Sequence, residues 1–126
     1  MKKIFIIFTF ILLITGCNNN EDKSLNKILN NNENVIKEQI IDDYKINNIS
    51  LVYENGLSTF TAFINNNTSD IKVIKEFKVI LKNETGNIIT ILEGPEMKIE
   101  ANKYFIVTIS SDIDLSEVYS VEYQIK

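Results

Sequence analysis

The chain has 126 residues, 44% of them hydrophobic, with 13 basic residues against 17 acidic ones and a formal charge of −4. It holds no histidine, arginine or tryptophan and a single cysteine, which excludes an imidazole base, a Ser-His-Asp triad, an HExxH zinc site, guanidinium recognition of phosphate, an internal disulfide and a cysteine-rich metal cage. The acidic balance argues against nucleic acid as a partner and against electrostatic adhesion to anionic lipid, since both need basic patches.

The chain opens MKKIFIIFTFILLITGCNNN. Lys2 and Lys3 form a positive n-region, and residues 4–14 are apolar except for Thr9. That length suits a secretory signal and falls short of the roughly 20 residues a membrane-spanning helix needs. A longer span would have to bury Asn18, Asn19 and Asn20 in hydrocarbon, which the cost of unpaired amides forbids. Ile14-Thr15-Gly16-Cys17 resembles the lipobox of bacterial lipoproteins: a branched residue, two small residues that fit a peptidase groove, then a thiol. The resemblance implies that Cys17 takes a diacylglyceryl group with palmitate-type chains and becomes the first residue after residues 1–16 are removed. Two or three acyl chains hold a protein to a bilayer where one does not. The other reading of the same leader is plain secretion with a free thiol. Loss of the leader leaves 11 basic against 17 acidic residues, a net charge of −6.

Residues 17–43 read as a lipidated cysteine and an Asn-rich tether. Within it Leu25, Ile28, Leu29, Asn32, Val35, Ile36, Gln39 and Ile40 keep helical spacing. Ser24 is a candidate cap, but Asn30, Asn31, Asn32 and Asn34 are poor helix formers. The expectation is one frayed amphipathic helix over 24–41 or a short helix within 33–41. A narrow, lysine-poor stripe favours packing on the protein's own domain, or a partly ordered tether, over a membrane-surface or partner-binding helix.

From residue 44 the pattern changes to a period of two. Ile49, Leu51 and Tyr53 alternate with Ser50, Val52 and Glu54, and Asn55-Gly56 is a type I′ hairpin signal. Residues 59–64 return. After the polar run NNNTSD, residues 72–82 read as the longest strand, with Phe77, Val79 and Leu81 on one face. Thr85-Gly86-Asn87 turns the chain into residues 88–92, Gly94-Pro95 ends that strand, and 97–99 is a short edge strand. Residues 104–110 present Phe105, Val107 and Ile109, and residues 118–126 present Tyr119, Val121, Tyr123 and Ile125. Six or seven short one-sided strands over 44–126 predict an all-β fold, a small immunoglobulin-like antiparallel β-sandwich.

The run TFTAFINNNTSDIKVIKEFKVILKNETGNII, with ANKYFIVTI and the closing YSVEYQI, resembles the FxLYD-type immunoglobulin-like domain of bacterial lipoproteins. Asn66-Asn67-Thr68 and Asn83-Glu84-Thr85-Gly86 match that layout, and Gly94-Pro95-Glu96 gives an offset counterpart of its PGE element. The resemblance covers residues 46–126 and implies a sandwich without catalytic residues.

Three candidate sites deserve weighing. Asp112, Asp114 and Glu117 could offer oxygen ligands to calcium, but the loop lacks the glycine and the closing glutamate of a twelve-residue calcium loop, which favours a solvated loop. Tyr53, Tyr104, Tyr119 and Tyr123 could form a carbohydrate or peptide platform; Tyr119 and Tyr123, in phase with Val121 and Ile125, favour the core. Asn48, Asn66 and Asn83 start N-x-S/T triplets, which in a bacterial lipoprotein read as Asn-rich loops. No cofactor and no metal is expected, and no carboxylate pair marks an enzyme. The function expected is that of a membrane-anchored, extracytoplasmic, non-catalytic interaction module with an envelope protein or carbohydrate as partner. The alternative is a passive accessory or immunity-type lipoprotein that shields the membrane or a neighbour. Expressed in a bacterium fed a fatty-acid analogue, the wild-type chain takes up the label and Cys17→Ser loses it; label retained in the variant overturns the anchor.

Overall fold

Alternating apolar residues can bury one face only against a second layer, and this chain supplies that layer itself. A computed structural model describes residues 27–126; the leader, Cys17, Ser24 and Leu25 lie outside the described residues. The elements are β1 (Ile28–Leu29), α1 (Glu33–Ile36), β2 (Gln39–Ile41), β3 (Tyr44–Glu54), β4 (Leu57–Asn66), β5 (Lys72–Ile74), β6 (Phe77–Lys82), β7 (Ile88–Glu93), β8 (Met97–Ile99), β9 (Tyr104–Ser111) and β10 (Ser120–Ile125). One sheet runs β1-β3-β4-β9, with β2 also on β3; the second runs β10-β6-β7; β5 and β8 make a small two-stranded sheet. Every pairing is antiparallel. The result is the expected antiparallel β-sandwich.

The expected hairpin forms at Asn55-Gly56, where both residues have positive φ, 54° and 80°, and Glu54 pairs with Leu57. Along β4 the period of two is unbroken: Ser58, Phe60, Ala62, Ile64 and Asn66 all point inward. In β3 the phase shifts. Asn48 adopts φ 50° at a bulge between Asn47 and Ser50. The extra residue lets Tyr44 and Ile46 face the core before it, and Ile49 and Leu51 after it.

Two sequence readings need correction. Residues 72–82 are not one strand, because the chain leaves β5 and joins β6 through Lys75 and Glu76, whose N–H groups donate to the Lys126 carbonyl (2.8 and 3.1 Å). Ile74 and Phe77 are both buried, a spacing of three that an uninterrupted strand does not allow. β3, with 11 residues, is the longest strand. Nor is 24–41 a helix: over the described part, α1 covers only Glu33–Ile36, capped by Asn32, whose side chain accepts from the Asn34 N–H. The remainder pairs as strand. Ile28 lies opposite Tyr53, and Gln39 opposite Ile46. The stretch expected as tether thus runs along the free edge of β3, and Val35 of α1 is fully buried. Strand pairing to β3 outweighs weak helical propensity because it satisfies the backbone groups along the edge of β3, while a short asparagine-rich helix has little stability of its own.

At the start of the opposite turn, Gly94 donates its N–H to the Phe77 carbonyl (2.8 Å). A Cβ there would stand 2.9 Å from Phe77 Cδ2 and 3.3 Å from Val107 Cγ2. Gly94→Ala is therefore expected to lower stability by about 1–3 kcal/mol through overpacking, read as a lower urea midpoint at unchanged slope.

Candidate interaction surface

The buried polar side chains decide which loops are free to bind. Asn66, at the end of β4, is fully buried. Its Nδ2 donates to the carbonyls of Asp70 (2.8 Å), Ile99 (2.9 Å) and Glu100 (3.2 Å), and its Oδ1 accepts from the Thr68 N–H (3.0 Å) and Oγ1 (2.7 Å). That amide ties the 67–71 loop to the turn after β8. Asn83 builds the same Asx turn in the open, accepting from Thr85 N–H (3.0 Å), Thr85 Oγ1 (2.7 Å) and Asn87 N–H (3.0 Å). The triplets at Asn66 and Asn83 are thus turn chemistry, and the one at Asn48 is the bulge.

The 111–117 loop is held in a similar way. Ser58 Oγ donates to the Ile113 carbonyl (2.7 Å) and accepts from the Leu115 N–H (2.9 Å). Asn30 Nδ2 donates to the carbonyls of Val118 (2.9 Å) and Leu115 (3.4 Å), and the Asn30 N–H donates to the Leu51 carbonyl (2.9 Å). Leu115 fills the space beneath, fully buried. The Asp114 carboxylate accepts from Ser116 Oγ (2.6 Å) and N–H (2.9 Å), and these bonds, the hydroxyl first, hold its pKa below the usual carboxylate range. Asp112 and Glu117 are exposed. Among the described residues no three His, Cys, Asp or Glu side chains gather where they could hold a metal. Asn30, Ser58 and Asn66 are not legible as buried groups in the sequence: nothing local separates Asn30 from its asparagine neighbours, and Asn66 reads as part of a polar loop.

The tyrosines do not converge. Tyr123 is buried, between Phe60 (centroids 6.3 Å) and Phe77 (5.9 Å). Tyr119 is not core: it is 40% exposed, because β10 begins at Ser120 and Val118 takes the inward position. Tyr104 is exposed and stacks on Phe63 at 4.9 Å, on the outer face of the first sheet. Tyr53 is half-buried beside β1. No platform of four forms.

Among the described residues one hollow, about 480 Å³, lies on the outer face of the first sheet over Ser50, Val52, Thr59 and Thr61, between Lys27 and Glu54. The second, about 240 Å³, is bounded by Ile40, Asp42, Tyr44 and Thr68. Beside it Lys72 pairs with Asp43 at 2.9 Å, and that hydrogen bond raises the lysine pKa. Neither hollow holds a nucleophile with an adjacent base.

The flanks of the sandwich differ. On one, β1, α1 and β2 cover the edge of β3 and reach the second sheet through Asn30 and through Gln39, whose Nε2 donates to the Val121 carbonyl (3.3 Å). On the other, β7 and β9 are the outermost strands of their sheets. Neither has a charge between Asn87 and Leu92 or between Tyr104 and Ser111. Ile88 (56%), Ile89 (39%), Ile91 (44%) and Ile106 (49%) are exposed there. Natural sandwiches commonly guard such edges with lysine, proline or a covering loop.

A family model described as "Prokaryotic membrane lipoprotein lipid attachment site" matches residues 1–18. The N-terminus is that of a lipid-anchored membrane lipoprotein. No curated protein matches the chain. Among solved structures, a DUF1425 family member from Shewanella sp. pv-4 is similar at 10% identity and a TM-score of 0.46, over 71% of this chain and 85% of that one. No helix among the described residues is long and apolar enough to cross a membrane.

Burial raises the Tyr123 pKa well above the ordinary phenol value of 10.0, and burial also raises that of Tyr44. Both phenols therefore ionise in the unfolded chain first. Stability is intact below about pH 10 and falls as pH rises past it, by up to about 1.4 kcal/mol per unit for each phenol. The Tyr123 hydroxyl has no hydrogen-bond partner among the described residues. Tyr123→Phe is expected to leave neutral-pH stability unchanged or up to about 1 kcal/mol higher and to flatten the alkaline fall, measured by urea unfolding from pH 7 to 11.

Proposed function

We propose that this chain is a lipoprotein of the extracytoplasmic face of the cell membrane, anchored through Cys17, whose immunoglobulin-like sandwich is a non-catalytic interaction module. The observation that carries this reading is the unguarded flank, where two edge strands expose isoleucines and carry one charged residue between them, Glu93. An edge strand offers main-chain donors and acceptors, with alternate side chains for selection, which is how sheets accept an added strand from a protein partner. It suits an envelope protein better than a carbohydrate, which would need convergent polar groups in a pocket. The FxLYD-type layout agrees with this reading through the turns at Asn66 and Asn83.

The anchor supplies the rest. β1 leads into the fold beside the Asn55-Gly56 hairpin, so the lipid joins the sandwich near that end. Nine residues lie between Cys17 and Lys27, and the ten Cα-to-Cα steps can span at most about 35 Å. The anchor thus confines the flank to a layer close to the bilayer and raises its effective concentration toward other membrane proteins. With a photo-crosslinking residue at position 89 of the lipidated protein in native membranes, discrete protein adducts are expected, and at position 114, on the loop held by Ser58, none. Equal labelling at the two positions overturns the reading.

A further inference from the structure

We propose that the outer face of the β1-β3-β4-β9 sheet rests on the bilayer that holds the anchor, so that the sandwich lies flat on the membrane. The inference goes beyond the reading above: it rests on the Cys17 anchor and not on what the β7–β9 flank binds. The two outer faces of the sandwich differ in charge. On the second sheet Lys78 and Lys82 alternate with the buried Val79 and Leu81, and the register brings Glu93 and Glu122 to the same outward face. Lys82 pairs there with Glu122 at 2.7 Å. That face suits water.

The first sheet is the opposite case. β4 and β9 hold no charged residue, in a chain with 24% charged residues. The outward positions of β3 are uncharged from Asn47 to Val52, and the first charges beyond them are Lys45 at one end and Glu54 at the other. Leu29 and Leu57 stand on this face near the hairpin, and Tyr104 and Ile106 stand toward its far end, each at least 45% exposed. Leucine and isoleucine gain by entering the boundary between headgroups and acyl chains, and tyrosine settles at headgroup level. The hydroxyls of Thr59, Thr61 and Thr108 between them carry no charge to desolvate, whereas a carboxylate pressed against the bilayer would be costly.

The course of the chain selects the bilayer as occupant. The described residues begin at Lys27, and Lys27 lines the hollow on this same face, together with Leu57. From there the lipidated cysteine is at most about 35 Å away. The leaflet that takes the lipid is thus within reach of this face, and Leu29 and Leu57 are its apolar positions nearest the point of entry. The anchor already holds the domain beside the membrane, so a contact too weak to recruit a free protein is enough to orient this one. In that posture the charged outer face of the second sheet turns to solvent, and the free edges of β7 and β9 point sideways along the membrane, toward neighbouring proteins.

The test uses full-length lipidated protein in phosphatidylglycerol–phosphatidylcholine vesicles, and reads only protein that floats with them. With the Cys17 sulfur held in its thioether, Leu57→Cys, Ile106→Cys and Glu122→Cys each carry one free thiol for a nitroxide, at exposed positions where circular dichroism checks the fold. The readout is the ratio of collisions with oxygen, which concentrates among acyl chains, to collisions with a water-soluble nickel chelate. At 57 and 106 that ratio is expected to exceed the value at 122 by about threefold. Adding Leu29→Asp and Tyr104→Asp is expected to bring 57 and 106 down to the value at 122 while the protein still floats, because carboxylates drive the face off the bilayer. Floating protein with equal ratios at all three positions overturns the membrane contact and leaves the interaction-module reading standing. Shielding of 57 and 106 in native membranes but not in these vesicles assigns the face to a protein and overturns it as well. Protein that does not float overturns the anchor, and this inference with it.

Discussion

Phe60, Tyr123 and Phe77 meet in the middle of this molecule, one ring from the first sheet and two from the second, and the rest of the structure is arranged around that contact. Without tryptophan or a disulfide between sheets, the aromatic trio supplies the large buried area that joins the layers. Ile46, Leu51, Ile64, Leu81 and Val107 fill in around it. The size of these rings also explains the stranded phenolic hydroxyl of Tyr123: its ring is well placed between two phenylalanines, while its oxygen reaches a region with no acceptor.

Around this apolar centre the loops are closed by amides and one hydroxyl. Asn66 gathers three carbonyls at one end of the sandwich, and Asn30 with Ser58 gathers the 112–118 segment at the other. Each replaces water at backbone groups that the fold removes from solvent, so each loop keeps one conformation without covalent staples. The same bonds draw on the acidic loop. The Ile113, Leu115 and Val118 carbonyls and one Asp114 oxygen already accept hydrogen bonds from within the protein, which leaves the remaining carboxylates as solvated surface.

The asymmetry of the two flanks follows from chain economy. The N-terminal stretch must leave the sandwich toward the anchor, and in doing so it covers the β3 edge and touches β10. Among the described residues none pairs with the outer edge of β7 or β9. These strands expose isoleucines, and Glu93 is the one charged residue of the two.

Local chemistry decided much of this protein in advance. The leader, the lipid attachment site, the hairpin at Asn55-Gly56 and the inward faces of β4, β6 and β9 follow from residue type and a period of two, because each depends only on neighbours in the chain. The structure alone decided what depends on distant partners. Residues 28–41 share helical spacing with many amphipathic helices, and only the free edge of β3 makes strands of Ile28–Leu29 and Gln39–Ile41 and leaves a single helical turn between them. Tyr119 keeps phase with Tyr123 on paper, but the turn from Leu115 to Val118 delays the strand to Ser120, two residues later than the pattern suggests. The burial of Asn30 is likewise invisible locally, since its acceptors lie 85 and 88 residues away. A periodic pattern states which residues seek the inside; which backbone groups lose their water is settled only when the two sheets meet.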